Sequence, residues 1–175
     1  FGPTKAAAML EGSKHFAKEF MVKNNIPTAE YHKSETYEDC MSYASRLIKE
    51  SGKAVLKADT LCQGKGVFIA ESLIDAEDFC KKVLIEKIFG ECSMVVEEYL
   101  DGFEMSLLCF VDNNTIKPLP TVKDHKKIHD GERGLNTGGM GTYSPNSQAD
   151  IYLPEIESTV LTPFLDGIKK DALDF

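Results

Sequence analysis

The sequence lacks several features that would each place it in a particular class of protein. No apolar run approaches the roughly 20 residues that a membrane-spanning helix needs, and the chain does not open on a secretory signal peptide. Acidic residues outnumber basic ones by 28 to 20, which gives a formal net charge of -8. Such a balance argues against nucleic acid or an anionic membrane as the main partner, although a local group of cations can still bind phosphate. We therefore expect a cytoplasmic protein.

Cysteine and histidine are sparse, and their spacing does not suit a metal site. No C-x-x-C pair occurs and the number of cysteines is odd, which favours reduced thiols over a disulfide framework. Among the four histidines only His125 and His129 are near each other, and no cysteine flanks them. Ligand spacing therefore does not predict a structural zinc site. The five cysteines are Cys40, Cys62, Cys80, Cys92 and Cys109.

The apolar pattern predicts a mixture of helices and strands in a chain of 175 residues, the size of one domain. Ser13 is placed to cap a helix, and Ser72 with Asp75 forms a capping box before another. The runs "KAVLKA" and "GVFIA" flank a glycine turn and predict a β-hairpin. Because consecutive strands are expected to pair as hairpins, the pattern favours an α+β fold over a parallel doubly wound sheet.

The first candidate site is the stretch "KADTLCQGKGV". Lys57 lies within a strand-like run, and Lys65 stands between Gly64 and Gly66. Glycines allow a tight turn whose amide groups can point at an anion, and two lysines would add charge. A hairpin with solvated lysines is the simpler alternative. The stretch is not a Walker A loop, because a strand follows where that motif needs a helix.

The second candidate site is "VVEEYLDGFE". Adjacent residues on a strand point to opposite faces, so either Glu97 or Glu98 is expected to face inward. A buried carboxylate needs a partner, and an adenine amino group or a ribose diol would supply donors. An exposed acidic hairpin tip is the alternative.

The third candidate site is "DHKKIHDGERGLNTGGMGTYSP", a polar, glycine-rich stretch too long for a simple turn. Glycines of this density let a ligand approach the backbone closely. Long segments without regular structure tend to be functional or disordered. A solvated loop remains the alternative.

Taken in order, these stretches together with "FGPTKAAAMLEGSK" resemble the ATP-grasp region of the glycinamide ribonucleotide synthetase (phosphoribosylamine–glycine ligase) family over nearly the whole chain. The resemblance implies an ATP-grasp fold of the α+β class, with two lobes built on mainly antiparallel sheets and incomplete in this chain. It places a small ATP-binding lobe at 28–96 and part of a larger lobe at 1–27 with 97–175. Flanking N-terminal and C-terminal lobes are expected to be absent.

The resemblance also implies a reaction. ATP, glycine and 5-phosphoribosylamine would give glycinamide ribonucleotide, ADP and phosphate through a glycyl phosphate, in de novo purine biosynthesis. Mg²⁺ or Mn²⁺ would assist, with its protein ligands beyond this sequence and none within it, so these residues alone are expected to be inactive. The protein would be a monomer or part of a multidomain purine enzyme. Another ATP-grasp carboxylate–amine ligase and a non-catalytic nucleotide-binding module remain alternatives.

The resemblance gives roles to individual residues. Catalytic roles fall on Lys57, Lys127 and Asn136. Nucleotide binding falls on Lys14, Lys57, Gly64, Lys65, Gly66, Glu97, Glu98, Tyr99, Leu100, Glu104, Lys127 and Asn136. Binding of glycine and phosphoribosylamine falls on Asp124, His125, Lys126, Thr137, Gly138, Gly139, Met140 and Gly141. Lys127 departs from the family, which usually has arginine there; lysine keeps the charge but loses the bidentate fork.

Overall fold

A computed structural model describes residues 2–62, 64–131 and 133–175, apart from the side chains of Leu135 and Asn136. The chain forms two compact units. The first unit contains the segment through Met9, then Phe20–Pro27 and Gly102–Phe175, and the second contains Leu10–Glu19 and Thr28–Asp101. Each unit has helices and antiparallel strands, which confirms the α+β class. The division into lobes at 28–96 and at 1–27 with 97–175 stays a prediction.

The second unit is built on one antiparallel sheet. Its strands are β1 (Tyr31–Ser34), β2 (Ala54–Ala58), β3 (Val67–Ala70) and β4 (Met94–Glu97), in the order β1-β4-β2-β3. The expected hairpin of β2 with β3 is confirmed. The expectation that consecutive strands pair is wrong for β4, which lies between β1 and β2. Since all four residues of β4 are buried, this strand takes a central place where both faces are covered.

Helices cover one face of this sheet. α3 (Tyr37–Ser51) and α4 (Leu73–Cys80), which continues as a π-helix over Lys81–Ile85, pack against the strands. α3 begins at the N-cap Thr36 and ends at Gly52, whose φ of 82° suits glycine. The predicted cap at Ser72 is confirmed, because its hydroxyl accepts from the amide of Asp75. The buried core comprises Cys40, Ala44, Leu47, Ala54, Leu56, Ala58, Ala70, Ala76, Phe79, Cys80, Val83, Met94 and Val96.

The core also contains two of the five free thiols. The sulfur atoms of Cys40 and Cys80 are 2.8 Å apart, and both residues are fully buried. The hydrogen bond with Cys80, together with burial, raises the pKa of the Cys40 thiol. These two cysteines therefore behave as small apolar side chains that join α3 to α4.

Two helices near the N-terminus have residues in both units. They are α1 (Lys5–Gly12) and α2 (Lys14–Lys23). The predicted cap at Ser13 is confirmed, because its hydroxyl accepts from the amide of Phe16 at 3.1 Å. That bond fixes the start of α2.

The first unit contains short strands and the C-terminal helices. Its strands are β5 (Cys109–Val111) with β6 (Ile116–Pro118), β7 (Lys123–Asp124) with β10 (Thr142–Tyr143), and β8 (Lys127–His129) with β9 (Arg133–Asn136). Its helices are α5 (Ser147–Asp150), α6 (Leu153–Ile156), a π-helix over Glu157–Leu161, and α7 (Thr162–Lys170). The glycine-rich stretch is thus folded into β7 to β10.

α7 packs closely on the end of α2 that belongs to the first unit. The rings of Phe20 and Phe164 meet edge to face with centroids 5.6 Å apart. A Cβ atom on Gly167 would lie 2.7 Å from both the Phe20 ring and the Asn24 side chain. Only glycine therefore fits this contact without a shift of the helices.

Gly167→Ala is expected to lower the free energy of unfolding by about 1–3 kcal/mol, the usual cost of overpacking. Urea unfolding followed by circular dichroism measures the change. Gly138→Ala is the matched control, because a Cβ there would meet nothing within 4 Å, and we expect it to cost less than about 0.5 kcal/mol. Equal effects of the two substitutions would contradict the close contact.

Within the described ranges, no helix is long and apolar enough to cross a membrane. In the same residues, no group of three or more His, Cys, Asp or Glu is placed to hold a metal ion.

Candidate functional site

The face of the second unit's sheet opposite α3 and α4 carries a buried charge cluster, which we define as Lys18, Lys57 and Glu97. Lys57 Nζ lies 2.8 Å from Glu97 Oε1, and Lys18 Nζ lies 2.8 Å from Glu97 Oε2. The side chains of Glu97 and Lys18 are 5% and 8% exposed, whereas that of Lys57 is 25% exposed. The cluster therefore presents mainly Lys57 to a ligand.

Strand register explains why Lys57 and Glu97 meet. Lys57 is directly opposite Val95 of β4, and Glu97 is opposite Val55 of β2. Opposite residues share a face, and so do residues two apart on one strand. Lys57 and Glu97 thus point away from the core, while Leu56 between Val55 and Lys57 points into it.

One carboxylate of the Glu97–Glu98 pair is buried, as expected, although on the face of the sheet opposite the core. Glu97 is buried, whereas Glu98 is partly exposed and its Oε1 accepts from the amide of Glu30 at 2.8 Å. The partners of Glu97 are two lysines, where the sequence had suggested donors from a nucleotide. Each oxygen of the Glu97 carboxylate is thus paired with one ammonium group.

Lys18 was missed by the sequence analysis. It lies on α2, where its ammonium also donates to Thr28 Oγ1 at 2.7 Å and to the Ala29 carbonyl at 3.3 Å. Burial lowers the pKa of Lys18, and the hydrogen bond to Glu97 opposes that shift. The sequence gives one local indication that Lys18 belongs to the site: it follows Lys14 by four residues and so lies on the same side of the helix.

Lys14 and Asp59 tie the start of α2 to the end of β2. The Lys14 ammonium donates to the carbonyls of Ala58 and Thr60, both at 2.8 Å. Asp59, also missed by the sequence analysis, accepts from the Ser13 hydroxyl at 3.0 Å and from the His15 amide at 3.1 Å. Two of the three Lys14 donors are thus used within the protein, and its contact with a nucleotide phosphate stays a prediction.

The loop after β2 makes a tight turn. Gly64 has a φ of 80°, and the Lys65 amide donates to the Cys62 carbonyl at 3.0 Å. A Cβ on Gly66 would lie 2.5 Å from Cys62 Sγ, so glycine is required there. Lys65 is exposed. Phosphate binding by this loop remains a prediction.

The segment after β4 leaves the sheet. Tyr99 and Leu100 follow Glu98 outside regular structure, and Leu100 is 63% exposed. The Lys53 ammonium lies 4.8 Å from the centroid of the Tyr99 ring, a cation–π contact. The predicted contact of these residues with adenine is untested.

The first unit holds a separate pocket of about 260 Å³. It brings Glu104, predicted to bind ribose, beside Asp124 and Lys126, predicted to bind the other substrates. Phe103, Met105 and Ser106 complete the lining. Because its lining includes two carboxylates and one ammonium group, this pocket is suitable for a polar ligand that carries both hydroxyl and charged groups.

The glycine-rich loop packs against the segment 124–126, which supplies two residues of this pocket. The Thr137 hydroxyl donates to the Lys126 carbonyl at 2.9 Å, and the Met140 amide donates to the His125 carbonyl at 2.7 Å. Gly139, with a φ of 135°, approaches Asp124 so closely that a Cβ would lie 3.3 Å from Oδ1. The His125 amide donates to Gly141 at 2.9 Å.

The other residues to which the sequence analysis assigned binding or catalytic roles are Gly138, Lys127 and Asn136. Gly138 lies in the same loop, in open space. Lys127 and Asn136 are opposite each other in the β8–β9 pair, but the Asn136 side chain lies outside the described residues, so its predicted role has no structural account. The structure therefore joins predicted residues within each unit: Lys57 with Glu97, and Glu104 with Asp124, Lys126 and the loop 137–141.

Comparison with known proteins gives consistent results. The phosphoribosylamine–glycine ligase of Pasteurella multocida is 45% identical over 163 residues, which cover 92% of this chain and 37% of that protein. The bifunctional purine biosynthetic protein PUR2,5 of Pichia angusta is 42% identical over 98% of this chain and 22% of its own length. The chain thus spans well under half of these relatives.

A crystal structure of phosphoribosylamine–glycine ligase from Thermotoga maritima superposes with a TM-score of 0.87 and 38% identity, covering 99% of this chain and 44% of that one. The model of the family described as phosphoribosylglycinamide synthetase, ATP-grasp (A) domain, matches residues 12–175. The ATP-grasp fold expected from the sequence is therefore confirmed, and this chain belongs to the phosphoribosylglycinamide synthetase ATP-grasp (A) domain family.

Proposed function

We propose that the protein carrying this chain is a ligase that joins glycine to 5-phosphoribosylamine. ATP would be consumed, and glycinamide ribonucleotide, ADP and phosphate would be formed through a glycyl phosphate. The relatives named phosphoribosylamine–glycine ligase support this reaction. The observation that carries the proposal is the half-buried Lys57 ammonium, held at the sheet surface by Glu97.

The described residues suit the parts of ATP in different ways. The Lys57 charge suits a phosphate, since phosphoryl transfer depends mainly on positioning and charge neutralisation. The segment 97–100, which leaves the sheet at the end of β4, suits the adenine ring mainly through its backbone groups. Glu104 suits ribose hydroxyls, and Asp124, Lys126 and the loop 137–141 suit glycine and the sugar phosphate.

A divalent cation, Mg²⁺ or Mn²⁺, belongs to the same proposal. Nucleotide phosphates supply most of the ligands of such an ion, with one or two carboxylates from the protein. The described residues do not form a metal site of three or more side chains, so we assign none of them as a ligand. The ion would neutralise phosphate charge.

The setting of the protein is part of the proposal. We infer a cytoplasmic enzyme of de novo purine biosynthesis that acts as a monomer or as part of a multidomain protein. Relatives named bifunctional purine biosynthetic proteins support the second arrangement. No nucleic acid or membrane partner is proposed.

Lys57→Ala in the full-length protein tests the proposed site. We expect the KM for ATP to rise about 10- to 100-fold, the equivalent of a lost charged hydrogen bond, with a much smaller change in the KM for glycine. Initial rates with phosphoribosylamine, glycine and ATP measure both constants.

Lys82→Ala is the control, because Lys82 is half-exposed and pairs with Asp78 on the surface. It should leave both constants unchanged. An unaltered ATP titration in Lys57→Ala would exclude the phosphate contact. Absence of product from the unmodified protein, with turnover of a different carboxylate, would instead assign it to another ATP-grasp ligase.

A further inference from the structure

Lys18 has no hydrogen available for a ligand. An ammonium group has three donors, and those of Lys18 face Glu97 Oε2, Thr28 Oγ1 and the Ala29 carbonyl. Its side chain is only 8% exposed. Lys18 can therefore influence a ligand only through a residue that it contacts.

The charges of the cluster do not cancel. Glu97 contributes one negative charge, and Lys18 and Lys57 contribute one positive charge each, so the cluster carries a net charge of +1. The two oxygens of Glu97 are divided between the two ammonium groups. One carboxylate outside the cluster also acts on Lys18: Glu98 raises the pKa of its ammonium group. Glu98 directly follows β4, and its carboxylate accepts from the Glu30 amide.

We propose that Lys18 is a positioning residue that serves as the permanent counter-ion of Glu97 and so leaves the charge of Lys57 for an anionic ligand. The proposal rests on the proposed function in taking that ligand to be the triphosphate of ATP. Glu97 contacts Lys57 as a buried carboxylate, yet a one-to-one pair with Lys57 would be neutral. Lys18 removes this conflict.

The contact geometry agrees with such a division of roles. Lys18 is fixed by two further acceptors from the Thr28–Ala29 segment, whereas the Lys57 side chain is 25% exposed and pairs with Glu97. Lys57 can therefore turn toward a phosphate without leaving Glu97 unpaired. Without Lys18, the same movement would leave a buried carboxylate without a counter-ion, which is costly.

Lys18→Met tests the proposal, because methionine fills similar space without charge. We expect the Kd of the full-length protein for ATP with MgCl₂ to rise about 10-fold at low salt. The Kd for adenosine, which has no phosphate, should change less than about 2-fold, since loss of the Lys18 charge affects only an anionic ligand. A purely structural role of Lys18 would weaken both ligands equally. Isothermal titration calorimetry measures both constants.

The double variant Lys18→Met with Glu97→Gln supplies the second test. It restores the net charge of +1, now on Lys57 alone, keeps a side-chain oxygen beside that ammonium, and leaves no buried carboxylate without a counter-ion. We expect its ATP affinity to return to within about 3-fold of the unmodified protein. The double variant also remains informative if Lys18→Met is too unstable to titrate.

Two outcomes would overturn the inference. One is unchanged ATP binding in Lys18→Met, and the other is equal loss of ATP and adenosine binding that the double variant does not reverse. Failure of the unmodified protein to bind ATP would contradict the proposed function itself, and is thereby distinguished from failure of the role given to Lys18.

Discussion

Glu97→Gln is expected to lower the free energy of unfolding by about 3–5 kcal/mol, the cost of breaking a buried ion pair by removal of one partner. Glutamine has the same shape, so packing changes little, but it leaves Lys18 and Lys57 as neighbouring positive charges without a counter-ion. Since the Lys18 side chain is 8% exposed, water cannot compensate for the loss. Urea unfolding monitored by circular dichroism measures the effect.

Glu71→Gln is the matched control for this substitution. Glu71 pairs with Lys53 at 2.8 Å, but its side chain is 66% exposed, and exposed pairs contribute about 0–1 kcal/mol. Adding Lys18→Met to Glu97→Gln should recover most of the lost stability, because the buried unpaired ammonium is then gone. A change below about 1 kcal/mol for Glu97→Gln would show that the cluster is hydrated and loosely held.

Leu56→Ala is expected to cost about 2–5 kcal/mol, the range for a leucine removed from a closed core. Leu56 is fully buried on β2 and belongs to the core under α3 and α4. Its neighbour in sequence is Lys57, on the opposite face of the same strand, so a shift of β2 into the cavity would also move the ammonium. The unfolding measurement should therefore be paired with ATP titration.

Leu61→Ala provides the comparison for this change. Leu61 is 68% exposed in the loop after β2, and its removal should alter stability by less than about 0.5 kcal/mol. If Leu56→Ala were equally mild, the core would have to collapse around the missing side chain without cost. A normal ATP affinity in a strongly destabilised Leu56→Ala protein would show that the position of Lys57 does not depend on packing beneath it.

Local features of the fold were predictable from the sequence because their causes are local. The caps at Ser13 and Ser72 depend on residues three positions away, and the β2–β3 hairpin depends on the turn between its strands. The place of β4 was not predictable in this way. Its pairing with β1 joins Glu97 to Tyr31, and no short-range pattern marks such a contact.

In the candidate site too, features with a local cause were predictable and features that depend on tertiary contacts were not. Strand alternation predicted that one carboxylate of the Glu97–Glu98 pair is buried, and Glu97 is, on the face opposite the core. Its partner Lys18 could not be identified, because a lysine between Ala17 and Glu19 on a helix looks solvated, and only tertiary contact reveals its burial. Asp59 was missed for a similar reason: its role is to accept from the start of α2, 44 to 46 residues earlier in the chain.

The central position of β4 also constrains biosynthesis. β1 and β2 are made first but are not neighbours in the sheet, so a growing chain that ends before β4 has a gap where its middle strand belongs. Domains fold as units during translation, and here the sheet cannot close until Glu97, the last residue of β4, has left the ribosome. The carboxylate of this same residue contacts both Lys18 and Lys57, so the sheet and the charge cluster of the second unit are completed together.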